Sequence, residues 1–571
     1  MPVFVEQWSQ PVKVTAGGWF PLAQSPARHP VWLDPSPTVL GLCGLEKRVH
    51  RVPARVLVIG LDSVSATFLD RWAEAWHLPH LAALRRRASQ FQLDAECMET
   101  LPGAIWSDLT FGEPCGRHGL FYLPEQFYPD EGRCRPIRAS EIDMTRSFWG
   151  VASASGQRCA VVDVPFMPLL PDFNGVQMRE FAVHDTWEGP ASHPPELIGE
   201  LHAKCGAPPL HNHMCDTRVA QVGRKAVFEE LLVRTDIKTT VLRELMAREP
   251  WDLFLAVYGE THCAAHQLWP IRQDGKLVSS VEGLANPWDA IREVCARIDE
   301  GLGALIADAG PDARVIVFTS HGVGFYLGGP QLLPEFLCRL GMSSGPEWPG
   351  RSTLRAWAQR ARRRIHVPAI EDVPALHTPR AQGLRAWVGA ERFPAHSSRC
   401  RAFAMPNNRI GAIRLKIAGR DKDGIVAEDE ADALLDTITN ELNRLVDPRS
   451  GLPLVRRVER SDTRLGADRS ALTPDLLVKF RTDIGPIERA YSRHVGTIHI
   501  PNARPLYVRT GDHVPQSRAW IATPSHPPGA KYVHRNILGL PPTILSLLGV
   551  APPPHMTGHV LQSDRMAAST P

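Results

Sequence analysis

Four short apolar runs constrain this chain more than any other feature. They are Arg55-Val-Leu-Val-Ile-Gly-Leu-Asp62, Cys159-Ala-Val-Val-Asp163, Trp251 to Tyr258 and Arg314-Val-Ile-Val-Phe318. Brief, nearly unbroken apolar runs suit strands buried on both faces, which parallel sheets acquire through covering helices. Between the runs the apolar spacing turns helical. Pro79 to Ala88 reads as a helix, and Ser140 to Ser153 has helical spacing through Ile142, Phe148, Trp149 and Val151. After Pro287, residues Ile291, Val294, Ile298, Leu302 and Leu305 form one stripe. Strands alternating with helices predict an α/β fold, a doubly wound, mostly parallel sheet with helices on both faces.

At 571 residues the chain has room for one large α/β domain with insertions, or for two to three units of about 100 to 200 residues. Residues 1–52 read as an N-terminal extension rich in Pro and Trp, ending in the basic run Glu46-Lys-Arg-Val-His-Arg51. The rhythm breaks again over 343–400, where Arg360, Arg362, Arg363 and Arg364 cluster and Trp357 and Trp387 lie among polar residues. That segment reads as an insertion or cap, either a solvated helix face or a lid that attracts an anion. The 51 prolines, against a usual share near 5%, imply stiff connections around the core.

Lys plus Arg number 64 and Asp plus Glu 61, a balance that gives no general case for nucleic acid or membrane as partner. The 11 cysteines include no Cys-x-x-Cys, which argues against a zinc ribbon or a secreted disulfide framework. The first residues lack the pattern of a signal peptide, and no stretch of about 20 apolar residues occurs. The expectation is a soluble, cytoplasmic protein with reduced thiols.

Ligands of open α/β sheets bind beyond the carboxyl ends of the strands, so the residues following each apolar run carry the functional information. The first run ends in Asp62 and the third leads to Gly259-Glu-Thr-His-Cys-Ala-Ala-His266. The fourth leads to Thr319-Ser-His321-Gly, and a late loop reads Arg509-Thr-Gly-Asp-His513. His262 and His266, four apart at a helix start, lie on one helical face and can share a metal ion. Singly, Asp62 reads equally as a helix cap, His321 as a core histidine and His513 as a loop residue.

With these segments in order, the chain resembles the alkaline phosphatase superfamily, in its type I phosphodiesterase and nucleotide pyrophosphatase branch. The resemblance runs over most of residues 55–562. Its carriers are Gly60-Leu-Asp62, Glu99-Thr-Leu-Pro-Gly-Ala-Ile-Trp106 with Gly112-Glu-Pro-Cys-Gly-Arg-His-Gly119, Gly259 to His266, Ser320-His-Gly322, Gly511-Asp-His513 and Leu540 to Val550. It implies an alkaline phosphatase-like catalytic domain over 53–342 and 401–565, with a smaller α+β part before the closing helix. The implied activity is hydrolysis of a phosphate mono- or diester, or of a related oxyanion ester, at a two-metal centre with a Ser or Thr nucleophile. One metal is then expected on His262, His266 and His513, and the other on Asp62 and His321.

Three departures from the family pattern alter those expectations. His262 stands where the family has Asp, so the first ion meets three neutral imidazoles, a set that suits zinc. Ser320 stands where the second site has Asp, leaving occupancy of that site open unless Asp512 or Glu260 compensates. Thr100 is the candidate nucleophile, although one register puts Pro102 at the family's Thr position; a turn-forming Thr is the bland reading, with water activated by the metal as the attacking group. Asn408 and Arg414, in Met405 to Lys416, are candidates for orienting the anionic substrate, with a strand and turn as the alternative. His118, Arg117, His211, His213 and Cys263 stay outside the core set. Sulfatase, phosphonate hydrolase and phosphomutase activities belong to the same superfamily, and a degenerate, non-catalytic binding protein is the reading from another class.

Overall fold

The computed structural model describes residues 54–121, 125–182, 187–209, 215–343, 400–461, 472–499, 509–524 and 532–562. The expected extension over 1–52, residues 344–399 of the expected insertion, and His211 and His213 lie outside the described residues.

Each apolar run becomes a strand. Apart from three hairpins, the described strands begin with β1 (Ala54–Leu61), β2 (Ser89–Asp94), β3 (Cys159–Val162), β4 (Gly175–Arg179), β5 (Ala191–His193), β6 (Trp251–Tyr258) and β7 (Arg314–Thr319). They continue as β8 (Gly322–Phe325), β9 (Ala402–Met405), β10 (Gly411–Leu415), β11 (Val455–Arg460), β12 (Leu476–Phe480), β13 (Gly511–Val514), β14 (Ser517–Ala522) and β15 (Tyr532–Asn536). Nine of them make one sheet in the order β15-β2-β14-β7-β1-β6-β3-β4-β5. The central run from β7 to β4 is parallel throughout. Antiparallel pairing enters where β14 joins β7 and β2 and where β5 joins β4, so the sheet is mixed α/β and mostly parallel.

Strand alternation divides the central strands between two cores. Leu57 and Ile59 of β1, Phe254 and Ala256 of β6, and Val315 and Val317 of β7 face one apolar cluster. Val56 and Val58, Leu253 and Leu255, and Ile316 and Phe318 face the other. The helices include α1 (Pro79–Arg87), α2 (Ile105–Phe111) and α3 (Phe148–Ala154), and the first cluster is covered by α1 together with α4 (Cys215–Arg248), α5 (Glu260–Gln267) and α6 (Asp289–Ala309). Helix α4 is interrupted at Gly223, whose φ of 81° lies in the left-handed region. The second cluster holds α2, α3 and a closing helix. Before that helix come β9 to β12, an antiparallel sheet covered by α7 (Glu428–Asn443), and the closing helix itself is α8 (Leu540–Leu548). Phe403 and Met405 of β9 join the second cluster, while Ala402 and Ala404 face a third around α7.

One expected helix is shorter than its apolar spacing implies. Over Ser140 to Ser153 the chain forms two 3-10 turns and only then α3, because the Ser147 side chain accepts from Gly150 N at 3.0 Å and caps a helix starting there. Among the described residues no helix is long and apolar enough to cross a membrane.

Candidate metal centre

The three central strands end level with one another. Leu61 of β1 pairs with Tyr258 of β6 and Thr319 of β7, so Asp62, Gly259 and Ser320 leave the sheet side by side. Backbone bonds hold these exits, from Asp62 N to Tyr258 O at 3.1 Å and from Val64 N to His321 O at 3.0 Å. Gly259 caps α5, which carries His262 and His266 one turn apart. His513 arrives from β13, which pairs with β8 through Val323.

The three imidazoles converge through their Nε2 atoms. His266 Nε2 is 2.8 Å from His513 Nε2 and 3.1 Å from His262 Nε2, and the third pair is 3.3 Å apart. Tetrahedral zinc with Zn–N bonds of about 2.0–2.1 Å needs ligand nitrogens about 3.4 Å apart, close to this spacing. The His266 Nδ1 lies 2.8 Å from the carbonyl oxygen of Gly511. A carbonyl only accepts, so Nδ1 carries the proton and Nε2 faces the other two rings bare. Three such nitrogens crowded together suit a shared cation, and no other group of three ligand side chains gathers so closely among the described residues.

Gly511 explains how β13 comes so near α5. A Cβ there would lie 2.1 Å from Ala265 O, so only glycine allows the approach that places its carbonyl on His266. Thr510 N donates to His266 O at 2.8 Å and completes the junction. Burial depresses the basicity of His513 well below the histidine norm, reinforced by the charges of His321, His266, His262 and Arg509. The neutral, ligating form is therefore favoured. Its Nδ1 is buried without a partner, so the support given to His266 is missing here.

Asp62 and His321 lie beside this cluster but are arranged differently. Asp62 Oδ1 accepts from Ser320 Oγ at 2.8 Å and from Trp106 Nε1 at 3.1 Å. His321 Nε2 is 4.0 Å from the same oxygen, and its ring stacks on His513 with centroids 4.1 Å apart. Burial lowers the His321 pKa to about 4, with Asp62 opposing the shift and His262 adding to it.

Thr100 closes a 3-10 turn and is fully buried, its hydroxyl donating to Glu96 O at 3.2 Å. Its carbonyl accepts from Asn407 Nδ2 at 2.9 Å, and Arg409 NH1 donates to His513 O at 3.0 Å. The loop containing Asn408 thus touches both candidate segments, but through its neighbours: Asn408 is exposed with φ of 45°. Arg414 is buried in β10, its Nε on Asp421 Oδ1 at 2.7 Å and its NH1 on Thr473 O at 2.5 Å. Those bonds belong to the small sheet, where the guanidinium serves packing and charge pairing.

A buried ionic group beneath α5 has no counterpart in the sequence reading. Lys238 Nζ, from the middle of α4, is 2.9 Å from Asp163 Oδ2, 3.4 Å from Glu260 Oε1 and 2.9 Å from Val257 O. Asp163 also accepts from Phe181 N at 2.7 Å and Ala182 N at 3.1 Å. Burial opposes the charge of Lys238, but Asp163 and Glu260 prevail and hold its pKa above the usual lysine value. The signal available in sequence was Asp163 directly after an apolar strand, in the same relation as Asp62. His118 and Asp108 form a second buried pair at 2.8 Å, and Leu120 N donates to His118 Nδ1 at 3.1 Å, pinning the turn after α2.

Residues 56–327 match the family model described as Type I phosphodiesterase / nucleotide pyrophosphatase. The match includes Asp62, Thr100, His262, His266 and His321 and stops short of His513. No curated protein matches the chain. Among solved structures, murine ectonucleotide pyrophosphatase / phosphodiesterase 5 is similar at 12% identity and a TM-score of 0.45, covering 88% of this chain and 97% of that one. The phosphonoacetate hydrolase of Sinorhizobium meliloti 1021 with phosphonoformate is similar at 11% identity and a TM-score of 0.47, covering 88% and 96%. Likenesses that faint say nothing about shared chemistry. The resemblance read from the motifs is borne out by this family match, which spans residues 56–327, just under half of the chain.

Proposed function

We propose that the protein is a metal-dependent hydrolase of a phosphate mono- or diester, with zinc on His262, His266 and His513. The observation that carries this reading is the meeting of three imidazole Nε2 atoms at the carboxyl ends of the central strands. The family match over 56–327 supports the substrate class. Buried thiols in no disulfide, such as Cys97, Cys159 and Cys295, agree with a cytoplasmic setting.

When bound, the ion would supply Lewis acidity toward a substrate oxygen and lower the pKa of a coordinated water. The chain's own residues supply position. Gly511 O holds His266 in the tautomer that ligates, and Ser320 with Trp106 fixes the carboxylate of Asp62. Thr100 is the proposed nucleophile. Asn407 grips its carbonyl, so its side chain can leave the Glu96 carbonyl for a substrate while the backbone stays in place. Arg409, half-buried and bonded to the His513 carbonyl, is better disposed than Arg414 to meet substrate oxygens.

The inward-turned hydroxyl of Thr100 also favours a second reading, a protein that binds an oxyanion ester without turning it over. The test is metal analysis of purified protein, followed by aryl phosphate monoester, diester, sulfate and phosphonate substrates. Turnover of a phosphate ester that disappears on chelation and returns with zinc is expected, and Thr100→Ala should lower it by more than about a hundredfold. Preferential turnover of sulfate or phosphonate would move the protein to the sulfatase or phosphonate hydrolase reading. Bound metal without any turnover would leave the binding reading.

A further inference from the structure

We infer that the centre holds one cation, and that the second metal position expected of this fold is replaced by a hydrogen-bonded carboxylate. The inference rests on the metal-site reading above but not on the identity of the substrate. Its basis is where the available carboxylates are engaged. Two divalent ions about 3.5–4 Å apart bring four positive charges into one site, and such pairs are held by anionic ligands between and around them. Here His262, His266, His321 and His513 are neutral as ligands, and among the described residues Asp62 lies beside His321, Glu260 shares the helix of His262 and His266, and Asp512 adjoins His513.

Glu260 is turned to Lys238, Asp512 to a backbone amide, and Asp62 is already hydrogen-bonded at one of its two oxygens. The Oδ1 atom of Asp62 already accepts from two neutral donors, Ser320 Oγ and Trp106 Nε1. Ser320 is itself engaged on both sides, since its Oγ also receives Ser63 N at 3.3 Å. Glu260 turns beneath α5 toward Lys238, and Asp512 Oδ1 accepts from the His513 amide at 2.8 Å. His321 stacks on His513 with Ser63 Oγ 3.1 Å from its Nδ1, and Asp62 is paired with it at 4.0 Å. One carboxylate and one imidazole, with serine oxygens in place of a further anion, form a donor set too weak and with too little negative charge for a second divalent ion. Ser320 is the position that decides this, because its hydroxyl donates to Asp62 where a carboxylate would share a cation with it.

The experiment is a metal count on the full chain, stripped with chelator and titrated with Zn2+ or Co2+, read by elemental analysis and calorimetry. We expect one tight equivalent, abolished in His266→Ala and His513→Ala and retained in Asp62→Asn and His321→Ala. Ser320→Asp should raise the count to two, the second lost again when Asp62→Asn is added. Two tight equivalents in the wild type, one of them lost in Asp62→Asn, would overturn the inference and leave the hydrolase reading intact. A further equivalent indifferent to Asp62 and His321 lies elsewhere and agrees with a mononuclear centre. A Ser320→Asp chain that folds, as judged by its circular dichroism, but stays at one equivalent would remove Ser320 as the deciding position. No tight equivalent at all would defeat the metal-site reading itself.

Discussion

At the scale of single residues, Gly511 shows how little separates an assembled centre from a loose one. Replacing it with alanine puts a methyl group 2.1 Å from the Ala265 carbonyl and 3.0 Å from Val323 Cγ1, so β13 must move away from α5. The bond from His266 Nδ1 to the Gly511 carbonyl and the position of His513 go with it. Gly511→Ala should weaken zinc binding by about 10–100-fold, as losing the hydrogen bond that orients a ligating histidine does, at a stability cost of about 1–3 kcal/mol. Zinc titration beside urea unfolding checks both figures. The histidines were legible in sequence because a helix places residues four apart on one face and strand ends gather ligands, both local rules. Asn408 and Arg414 show the limit of such rules. Their segment does reach the site, but the left-handed backbone at Asn408 presents Asn407 and Arg409 to it, and Arg414 spends its guanidinium on Asp421. A sequence does not display which neighbour a turn faces inward.

Among the elements, α4 links the halves of the site most directly. Its Lys238 ties the end of β3, through Asp163, to the end of β6, through Val257 O, and to the first turn of α5, through Glu260. Removing the ammonium leaves two buried carboxylates without their partner, a loss that costs about 3–5 kcal/mol when a buried pair is broken. Lys238→Met should therefore unfold at lower denaturant and, because α5 carries two ligands, bind zinc more weakly even where it remains folded. Lys238→Arg should recover part of the affinity; equal zinc affinity in the Met variant and the wild type would confine the lysine to a structural role. The buried parallel strands were legible from continuity alone. Helix α4 was not, because a lysine inside its buried face breaks the apolar stripe. Strands of the mixed flank such as β2, Ser-Gln-Phe-Gln-Leu-Asp, bury only alternate residues and read as polar.

For the molecule as a whole, the proposed ion acts as a cross-link. It would join α5 to β13, elements that approach through the Gly511 junction and few other bonds. A ligand that binds only the folded state at a hundred times its Kd adds about 2.7 kcal/mol. Chelation should accordingly lower the thermal midpoint by about 2–3 °C, since an unfolding entropy of about 2.1 cal/mol/K per residue makes 1 kcal/mol worth about 1 °C in a chain of this length, and zinc should restore it. An unchanged midpoint would mean that the histidines hold no ion under those conditions. The alternation of strand and helix displayed the large sheet in advance, whereas its antiparallel flank and the small sheet depend on pairings between distant segments that local spacing does not encode.

The separation of His266 from His513, 247 residues, also has a consequence for biosynthesis. At ~5–20 residues per second, a ribosome takes roughly 12 to 50 s to travel from one to the other. For that interval the emerging polypeptide offers only two of its three imidazoles, on a helix whose partner strand has not been translated. On the zinc reading all three histidines can hold the ion only after His513 has been translated, so the strands β1 to β12 that precede it must pair without help from a fully ligated ion.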